Sequence, residues 1–242
     1  MKIYGGTDKG RVRVSNQDAY AFSIINESTA YVILCDGMGG DPGGHIASTK
    51  AVEVIEQALI RGLTPQLAIS SIKPVLISAV TAANAVIFDM SHADERLLGM
   101  GTTVVVAVLR EDTLCIMHAG DSRAYLISEN APPHQLTRDH SVVQLLVDSG
   151  RITEREARVH PKRNYITRAL GVERTVELEY MEQKFTAGRL LICSDGLYNY
   201  APPEEHTGLI VTCASEQDLF LLIDEANKAG GADNITAVIV SK

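Results

Sequence analysis

The chain contains 242 residues, of which 45% are hydrophobic and 21% are charged, and its formal net charge is -8. This composition is sufficient for a sizeable core, so we expect one soluble domain spanning residues 1–242. The negative charge argues against a nucleic-acid partner, because proteins that bind polyanions usually present a basic surface. We find neither a leader-like N-terminus nor a continuously apolar window of about 18 residues, so we expect no membrane partner and a cytoplasmic location.

Runs rich in β-branched residues predict strands, and apolar residues at helical spacing predict helices. In chain order the predicted elements are strands 19–25 and 30–35, helices 44–61 and 75–91, strands 101–109, 113–119, 123–128, 176–182 and 189–193, helix 216–229 and strand 235–241. Ser215 is placed to cap the last helix, with Asp218 at the capping-box position. The stretch 129–135, which contains two prolines, predicts a turn. Helices set apart from many short strands favour an α+β layered fold over an alternating βαβ fold.

The chain has four cysteines, and no two of them form a C-x-x-C pair. They are Cys35, Cys115, Cys193 and Cys213. Three of them lie inside apolar runs, where a thiol usually acts as a small hydrophobic group. We therefore expect neither a disulfide nor a zinc site.

Five aspartates stand next to predicted strands. Asp36, Asp121 and Asp195 each follow an apolar strand beside a glycine, and Asp18 and Asp233 each precede a strand. Taken singly, Asp-Gly after a strand is ordinarily a turn. If the strands end at one edge of the fold, however, the carboxylates converge, and two such charges about 4 Å apart repel by roughly 4 kcal/mol at an effective dielectric near 20.

Divalent cations would remove that repulsion. Ligand sets made only of oxygen select the hard ions Mg²⁺ or Mn²⁺, and two ions suit this number of acids. Calcium storage is a competing interpretation, although the chain has no D-x-D-x-D-G loop. Gly37 can offer a backbone carbonyl, and the glycines up to residue 44 allow the backbone to lie close to an ion or a phosphate. The helix that begins near residue 44 would direct its N-terminus toward that site.

Seven segments resemble, in order, motifs of the metal-dependent serine/threonine protein phosphatases of the two-C type, the PPM family, in its compact bacterial form. These segments are 13–20, 35–48, 100–108, 118–126, 137–171, 190–199 and 230–240. The resemblance implies a four-layer α/β/β/α sandwich in which two antiparallel β-sheets are flanked by helix pairs. It also implies two Mn²⁺ or Mg²⁺ ions, with a third and weaker ion as in bacterial relatives.

Position by position, the resemblance assigns metal ligands. It implies that Asp36 bridges both ions and that Gly37 gives its carbonyl to one of them. Asp195 and Asp233 would bind the other ion. Asp18 would act largely through bound water.

The resemblance implies two further roles. Asp121 would help to hold the third ion, and Arg13 would grip the substrate phosphate through its guanidinium fork. The alternative for Arg13 is an ordinary solvated surface arginine. A metal-activated water would then attack phosphorus in line. The chain lacks the C-x₅-R loop of cysteine-dependent phosphatases, so no covalent intermediate is required.

The sequence departs from the family at the position of the leaving-group acid. Many relatives have histidine where Met38 or Asp41 stands here. His45 is a nearby substitute, or else a solvated polar residue at a helix start, so the leaving-group acid stays unassigned. Gln17 stands where some relatives have glutamate, which would weaken the water-mediated contacts to one ion.

The resemblance places a mobile flap at about 141–171. Lys162, Arg163 and Arg168 make it basic within an acidic protein, which would steer a phosphoprotein toward the site or would only form a solvated face. His140 is expected to fix this segment through a hydrogen bond.

We therefore expect an enzyme that hydrolyses phosphoserine and phosphothreonine in proteins and opposes a serine/threonine kinase, with monomer as the default state. Two alternatives come from other classes. One is an inactive relative that only binds phosphoproteins, and the other is a metal-dependent hydrolase of small phosphate esters.

Overall fold

A computed structural model describes all residues, 1–242, of the chain. In chain order its strands are β1 (Lys2–Asp8), β2 (Asp18–Asn26), β3 (Thr29–Met38), β4 (Gly101–Thr102), β5 (Val104–Arg110), β6 (Thr113–Ala119), β7 (Arg123–Ser128), β8 (Ala131–Gln135), β9 (Glu179–Lys184), β10 (Arg189–Cys193) and β11 (Ile235–Ser241). Its helices are α1 (Gly43–Gly62), α2 (Ile72–Ala93), α3 (Val142–Asp148), α4 (Glu154–Ala157), α5 (Asp195–Tyr198), α6 (Thr207–Thr212) and α7 (Glu216–Lys228).

The strands form two antiparallel sheets. The first sheet has five strands in the order β1-β11-β10-β7-β8. The second sheet has six strands in the order β2-β3-β5-β6-β9, with the short β4 paired to β3. Because β1 pairs with β11 from Lys2 opposite Ser241 to Asp8 opposite Ile235, the two ends of the chain are joined in one sheet.

Strand alternation produces the layers. On β3, Tyr31, Ile33 and Cys35 pack toward α1 and α2, whereas Val32 and Leu34 pack toward the first sheet. A third core lies between the first sheet and helices α5 to α7. A side-chain period of two residues explains why both faces of each strand are apolar when both are covered. The structure confirms the predicted α/β/β/α sandwich.

Helix α2 is apolar for a structural reason. Together with the 3₁₀ turn before it, the segment Ile69–Ala93 is long and apolar enough to cross a membrane by length and composition, a test that core helices also pass. Leu76, Val80, Ala83 and Ile87 are fully buried in the core that α2 shares with α1 and the second sheet. Packing within the fold therefore accounts for the apolar face of α2.

The predicted element bounds hold closely in most places. Strands β6, β7, β10 and β11 match their predictions residue for residue, and β2, β3, α1 and α7 differ from theirs by at most three residues at an end. Helix α2 begins at Ile72, three residues before its predicted start at 75. The cap of α7 is formed as predicted by Ser215 Oγ, which accepts a hydrogen bond from the Asp218 N–H, but the Asp218 carboxylate accepts from the Ala214 N–H rather than closing the box on Ser215.

Two strands were not predicted. Strand β1 contains Gly5, and a Cβ there would lie 2.6 Å from the rings of both Tyr20 and Phe22, so glycine allows the two sheets to approach. The stretch 129–135, predicted as a turn, contributes β8 at residues 131–135. Proline has no N–H for a sheet ladder, and β8 accommodates its two prolines because it lies at an edge.

Two predicted strands need correction. The run 101–109 is divided into β4 and β5 at Thr103, whose N–H donates to the Asp36 carbonyl. The run 176–182 becomes β9 at residues 179–184, while Val176 and Leu178 pack against the helical core without joining the sheet. All four cysteines are buried and free, which agrees with their predicted role as small hydrophobic groups.

Candidate active site

A polar cleft of about 380 Å³ collects most of the residues singled out in the sequence. Of its 17 lining residues, only 3 are hydrophobic, so the cleft is suited to a charged ligand. The predicted site residues that line it are Arg13, Asp36, Gly37, Asp121, Asp195 and Asp233. The fold brings them together because strands of both sheets end here: Asp36 lies on the second sheet, Asp195 and Asp233 adjoin strands of the first, and Asp121 lies on the crossover from β6 to β7.

Asp18 lies beneath the cleft rather than in its lining. It pairs directly with Asp36 across β2 and β3 and is 7% exposed. Its Oδ2 accepts hydrogen bonds from Ser194 Oγ at 2.7 Å and Thr236 Oγ1 at 2.6 Å. Its Oδ1 is buried without a hydrogen-bond partner. A buried, unpaired carboxylate oxygen is costly, so this atom is one that a cation or a metal-bound water would satisfy.

The five acids Asp18, Asp36, Asp121, Asp195 and Asp233 are called the carboxylate centre below. Burial, followed by the charge of neighbouring carboxylates, raises the pKa of Asp36 and of Asp195 well above the ordinary value. Burial likewise raises the pKa of Asp121 to about 7 and that of Asp18 to about 6. The protein alone therefore does not balance this charge, and a donor set made of oxygen fits hard divalent cations.

Arg13 lies at the cleft and is paired with an acid of the centre. Its Nη2 lies 2.7 Å from Asp233 Oδ2, and its side chain remains 51% exposed. The hydrogen bond to Asp233 is the main cause that raises the pKa of Arg13. This ion pair orients the guanidinium, which has five N–H donors, and leaves donors free for another anion. Arg13 is thus tethered at the cleft, unlike a freely solvated surface arginine.

Two threonines that the sequence analysis did not single out hold Asp36 in place. Thr103 Oγ1 accepts a hydrogen bond from the Asp36 N–H at 3.0 Å, and Thr102 Oγ1 donates to the Asp36 carbonyl at 2.9 Å. The next residue is packed equally closely, because a Cβ on Gly37 would lie 2.1 Å from the Gly44 carbonyl oxygen. The first turn of α1 therefore rests directly against the backbone of Gly37.

The sequence analysis also missed Asn234, whose side chain forms three hydrogen bonds next to the cleft. Its side chain accepts from the Gln17 N–H at 2.8 Å and donates to the carbonyls of Lys9 at 2.8 Å and Ser15 at 2.9 Å. These bonds fix both ends of the loop 9–17, which carries Arg13. The only signal in the sequence is its position next to Asp233, since its partners are more than 200 residues away along the chain.

His140 fixes the backbone just before Asp121. Its N–H donates to the Gly120 carbonyl at 2.9 Å, and its Nδ1 accepts from the Gly120 N–H at 3.2 Å. The carbonyl of His140 also accepts from the Thr167 N–H at 2.7 Å. His140 thus links the base of the predicted flap to the carboxylate centre, in keeping with the positional role expected for it.

His118, His140 and Glu179 cluster behind this link, and their spacing would suit a metal. The two imidazole rings stack with centroids 4.7 Å apart. Nδ1 of His140 accepts the Gly120 N–H, and Nε2 lies 3.2 Å from Glu179 Oε2 and 3.0 Å from Arg168 Nη1. The positively charged Arg168 guanidinium lies beside Nε2, where a cation would have to bind, so the cluster acts as a hydrogen-bonded brace.

Of the three positions considered for a leaving-group acid, two line the cleft. Met38 and Asp41 line the cleft, but His45 does not, and its Nδ1 lies 3.2 Å from the Asn16 carbonyl oxygen. Gln17 also lines the cleft. No histidine is among the lining residues.

The predicted flap, residues 141–171, contains α3 and α4 and contributes Asn164 and Ile166 to the cleft lining. It is attached at both ends by isolated bridges, Ser141 with Ile166 and Leu170 with Thr102. Arg168 pairs with Glu177 at 2.7 Å, which differs from the free cation expected for steering. Lys162 and Arg163 are exposed and form no ion pair.

The profile of the family Protein phosphatase 2C matches residues 6–218. The chain belongs to this family. The phosphatase is 38% identical over 240 residues to the serine/threonine phosphatase stp of Listeria monocytogenes, covering 98% of this chain and 94% of that protein. Its fold matches the crystal structure of the serine/threonine phosphatase Stp1 from Staphylococcus aureus with a TM-score of 0.91 at 30% identity, covering 100% of this chain and 94% of that one.

A third match concerns metal content. The catalytic domain of the serine/threonine protein phosphatase PstP, solved in complex with two manganese ions, aligns with a TM-score of 0.83 at 32% identity, covering 99% of this chain and 97% of that one. The family and these relatives establish the phosphatase as a serine/threonine phosphatase of the 2C type.

Proposed function

We propose that the phosphatase hydrolyses phosphoserine and phosphothreonine in proteins, using two Mn²⁺ or Mg²⁺ ions and a weaker third ion, and that it opposes a serine/threonine kinase as a cytoplasmic monomer built from a single domain. The observation that carries this proposal is the convergence of Arg13 and four acids of the carboxylate centre on one cleft. The buried, unpaired oxygen of Asp18 directly below supports it.

The residues that would hold the ions are those that the family resemblance assigns, and all but Asp18 line one cleft. Asp36 would bridge the two ions, with the Gly37 carbonyl on one of them and Asp195 and Asp233 on the other. Asp18 would contribute through water by its free Oδ1. Asp121, which lines the same cleft on the crossover between the two sheets, would help to hold the third ion, as the resemblance implies.

When bound, the ions supply Lewis acidity toward the phosphate oxygens and lower the pKa of an attacking water. The chain itself supplies orientation. Arg13 offers the phosphate those N–H donors that Asp233 does not use, and a paired fork of this kind matches two phosphate oxygens. Asn234 fixes the loop of Arg13, and the threonines fix Asp36, so little reorganisation is needed when substrate arrives.

Protonation of the leaving oxygen falls to solvent water in this proposal, because no histidine lines the cleft. Release of an alkoxide from serine or threonine requires such a proton. A direct attack by water needs no nucleophilic side chain, and all four cysteines are buried away from solvent. Burial raises the pKa of the Cys35 and Cys193 thiols, which makes them unsuitable as nucleophiles.

The test is phosphate release from a phosphothreonine peptide and from p-nitrophenyl phosphate, each with Mn²⁺, Mg²⁺ or EDTA. We expect metal-dependent turnover of the peptide, and a loss of at least about a hundredfold in Asp36→Asn and Asp233→Asn. Asp94→Asn is the matched control, since it removes a carboxylate that pairs only with Arg96 on the surface. Full metal-dependent activity in either site variant would refute the assignment, and turnover of the small ester alone would favour the alternative substrate class.

A further inference from the structure

A second groove continues from the cleft along the flap. It has a volume of about 590 Å³ and shares Arg13, Asp195 and Asp233 with the cleft. Arg158 and Arg163 of the flap line it. Asn164, which follows Arg163 directly, lines both the cleft and this groove. A peptide whose phosphorylated residue occupied the cleft would therefore have a continuous path past the two flap arginines.

The charges of the groove are unequally compensated. Arg13 pairs with Asp233 at 2.7 Å, and Arg123 binds both carboxylate oxygens of Asp139 at 2.8 and 2.7 Å. Arg158 and Arg163, by contrast, are exposed, and their guanidinium groups form no ion pair and no hydrogen bond.

The acids of the groove do not offset these two cations. Asp195 and Asp233 belong to the carboxylate centre, and Glu204 is the remaining acid in the lining. Two unpaired arginines thus face one free acid in a protein whose formal net charge is -8. A local surplus of this sign attracts anionic groups and repels cationic ones.

We propose that this groove holds the substrate chain on one side of the phosphorylated residue, and that Arg158 and Arg163 select an anionic side chain there. The proposal rests on the proposed function and names its substrate class: phosphoproteins with a carboxylate or a second phosphate near the site of hydrolysis. Arg163 directly precedes Asn164, which lines the cleft, so we place the anionic residue within a few positions of the phosphorylated one. Tyr200, Pro202 and Pro203 provide apolar walls for the intervening residues.

The experiment compares four phosphothreonine peptides: one with neutral flanks, one with glutamates on the N-terminal side, one with glutamates on the C-terminal side, and one with a second phosphothreonine on the favoured side. We expect one glutamate arm to raise kcat/KM about three- to tenfold over the neutral peptide, mainly through KM, and the second phosphate to do at least as much. This preference should shrink at about 0.5 M salt because the arginines are exposed.

The variant Arg158→Gln/Arg163→Gln should abolish the preference, so that the acidic and neutral peptides are turned over with equal kcat/KM. Arg155→Gln is the matched control, because it removes the same charge from the same flap at a position that does not line the groove. Equal kcat/KM for neutral and acidic peptides in the wild type would overturn the proposal. A preference that survives in the double variant would overturn it as well.

Failure of the proposed function has a different signature. Peptide binding is measured in parallel by fluorescence anisotropy, with the same peptides and variants. If the wild type turns over none of the peptides with Mn²⁺, the hydrolytic function fails. An acidic preference in Kd that disappears in Arg158→Gln/Arg163→Gln would still support the groove, and Kd values independent of flanking charge would overturn it.

Discussion

The carboxylate centre and the flap border the same cleft, but they are held in place by different means. The acids of the centre lie at the ends of strands from both sheets, and threonine and serine hydroxyls fix the backbone of Asp36 and a carboxylate oxygen of Asp18. In the flap, no residue from 142 to 169 is buried, and its two helices are only 7 and 4 residues long. The acids assigned to chemistry are therefore on a rigid scaffold, whereas the arginines assigned to selectivity lie on a segment of low local stability.

Among the tests of this comparison between the carboxylate centre and the flap, Asp195→Asn is expected to have the largest effect on activity. Removal of this carboxylate should lower metal-dependent kcat/KM by about a thousandfold, because a proposed metal ligand is lost. Burial and neighbouring acids raise the pKa of Asp195, so its charge is unfavourable in the metal-free fold. The metal-free variant should therefore melt at the same or a higher temperature than the wild type in EDTA. A lower melting temperature would mean that Asp195 has a structural role instead.

A smaller but still large effect is expected for Asn234→Ala, which breaks three hydrogen bonds around the loop of Arg13. Misplacement of a phosphate-binding group by about 1 Å can cost up to a hundredfold, so we expect KM to rise about 10- to 100-fold. Arg13→Ala is the partner for a double-mutant cycle. If Asn234 acts by positioning Arg13, the asparagine substitution should change KM less than about twofold in the Arg13→Ala background. Additive effects would contradict this positioning role.

Stability as a function of pH should distinguish the metal-free centre from the metal-loaded one. The pKa of Asp121 is raised from 3.8 to about 7, and that of Asp18 is raised from 3.8 to about 6. At pH values between the ordinary and the raised pKa, the folded, metal-free protein therefore binds more protons than the unfolded chain. Its stability should fall as pH rises from about 4 to about 7.

Metal ions compete with those protons, so Mn²⁺ should raise the melting temperature more at about pH 7.5 than at about pH 5.5. Differential scanning fluorimetry in EDTA and in MnCl₂ measures both effects. In Asp121→Asn the pH dependence in EDTA should be reduced. A melting temperature in EDTA that rises over this range would contradict the assigned direction.

The smallest effect is expected at the flap. Thr153 caps α4 in a capping box with Glu156, and Thr153→Ala removes that cap. A lost cap costs about 1 kcal/mol, which should increase amide hydrogen exchange across 154–158 about fivefold. Because nothing in the flap interior is buried, the global melting temperature should change by less than about 1 °C. A larger shift would show that the flap contributes to the global stability of the fold.

Much of this molecule could be predicted from its sequence because the signals were local. Continuous apolar runs defined β10 and β11, and aspartates at strand ends marked the cleft. The roles of Asn234 and Thr103 could not be predicted, because their partners lie far away along the chain. Strand β1 was missed because its glycines weaken the strand pattern, although Gly5 is required where the aromatic rings of β2 approach. Strand β8 was missed because proline usually signals a turn.

Asp18 belongs to β2 of one sheet, yet both hydroxyls that bind its carboxylate, those of Ser194 and Thr236, come from the other sheet or the segment directly following its strand β10. The carboxylate of Asp18 thus links the two sheets of the sandwich through hydrogen bonds. Because Asp18 and Asp36 share a sheet, sliding of one half past the other by a fraction of an ångström would shift both acids relative to Asp195 and Asp233. The affinity for metal ions should therefore depend on the relative position of the two sheets. A chain in which the sheets are packed incorrectly would bind ions weakly while its secondary structure is still intact.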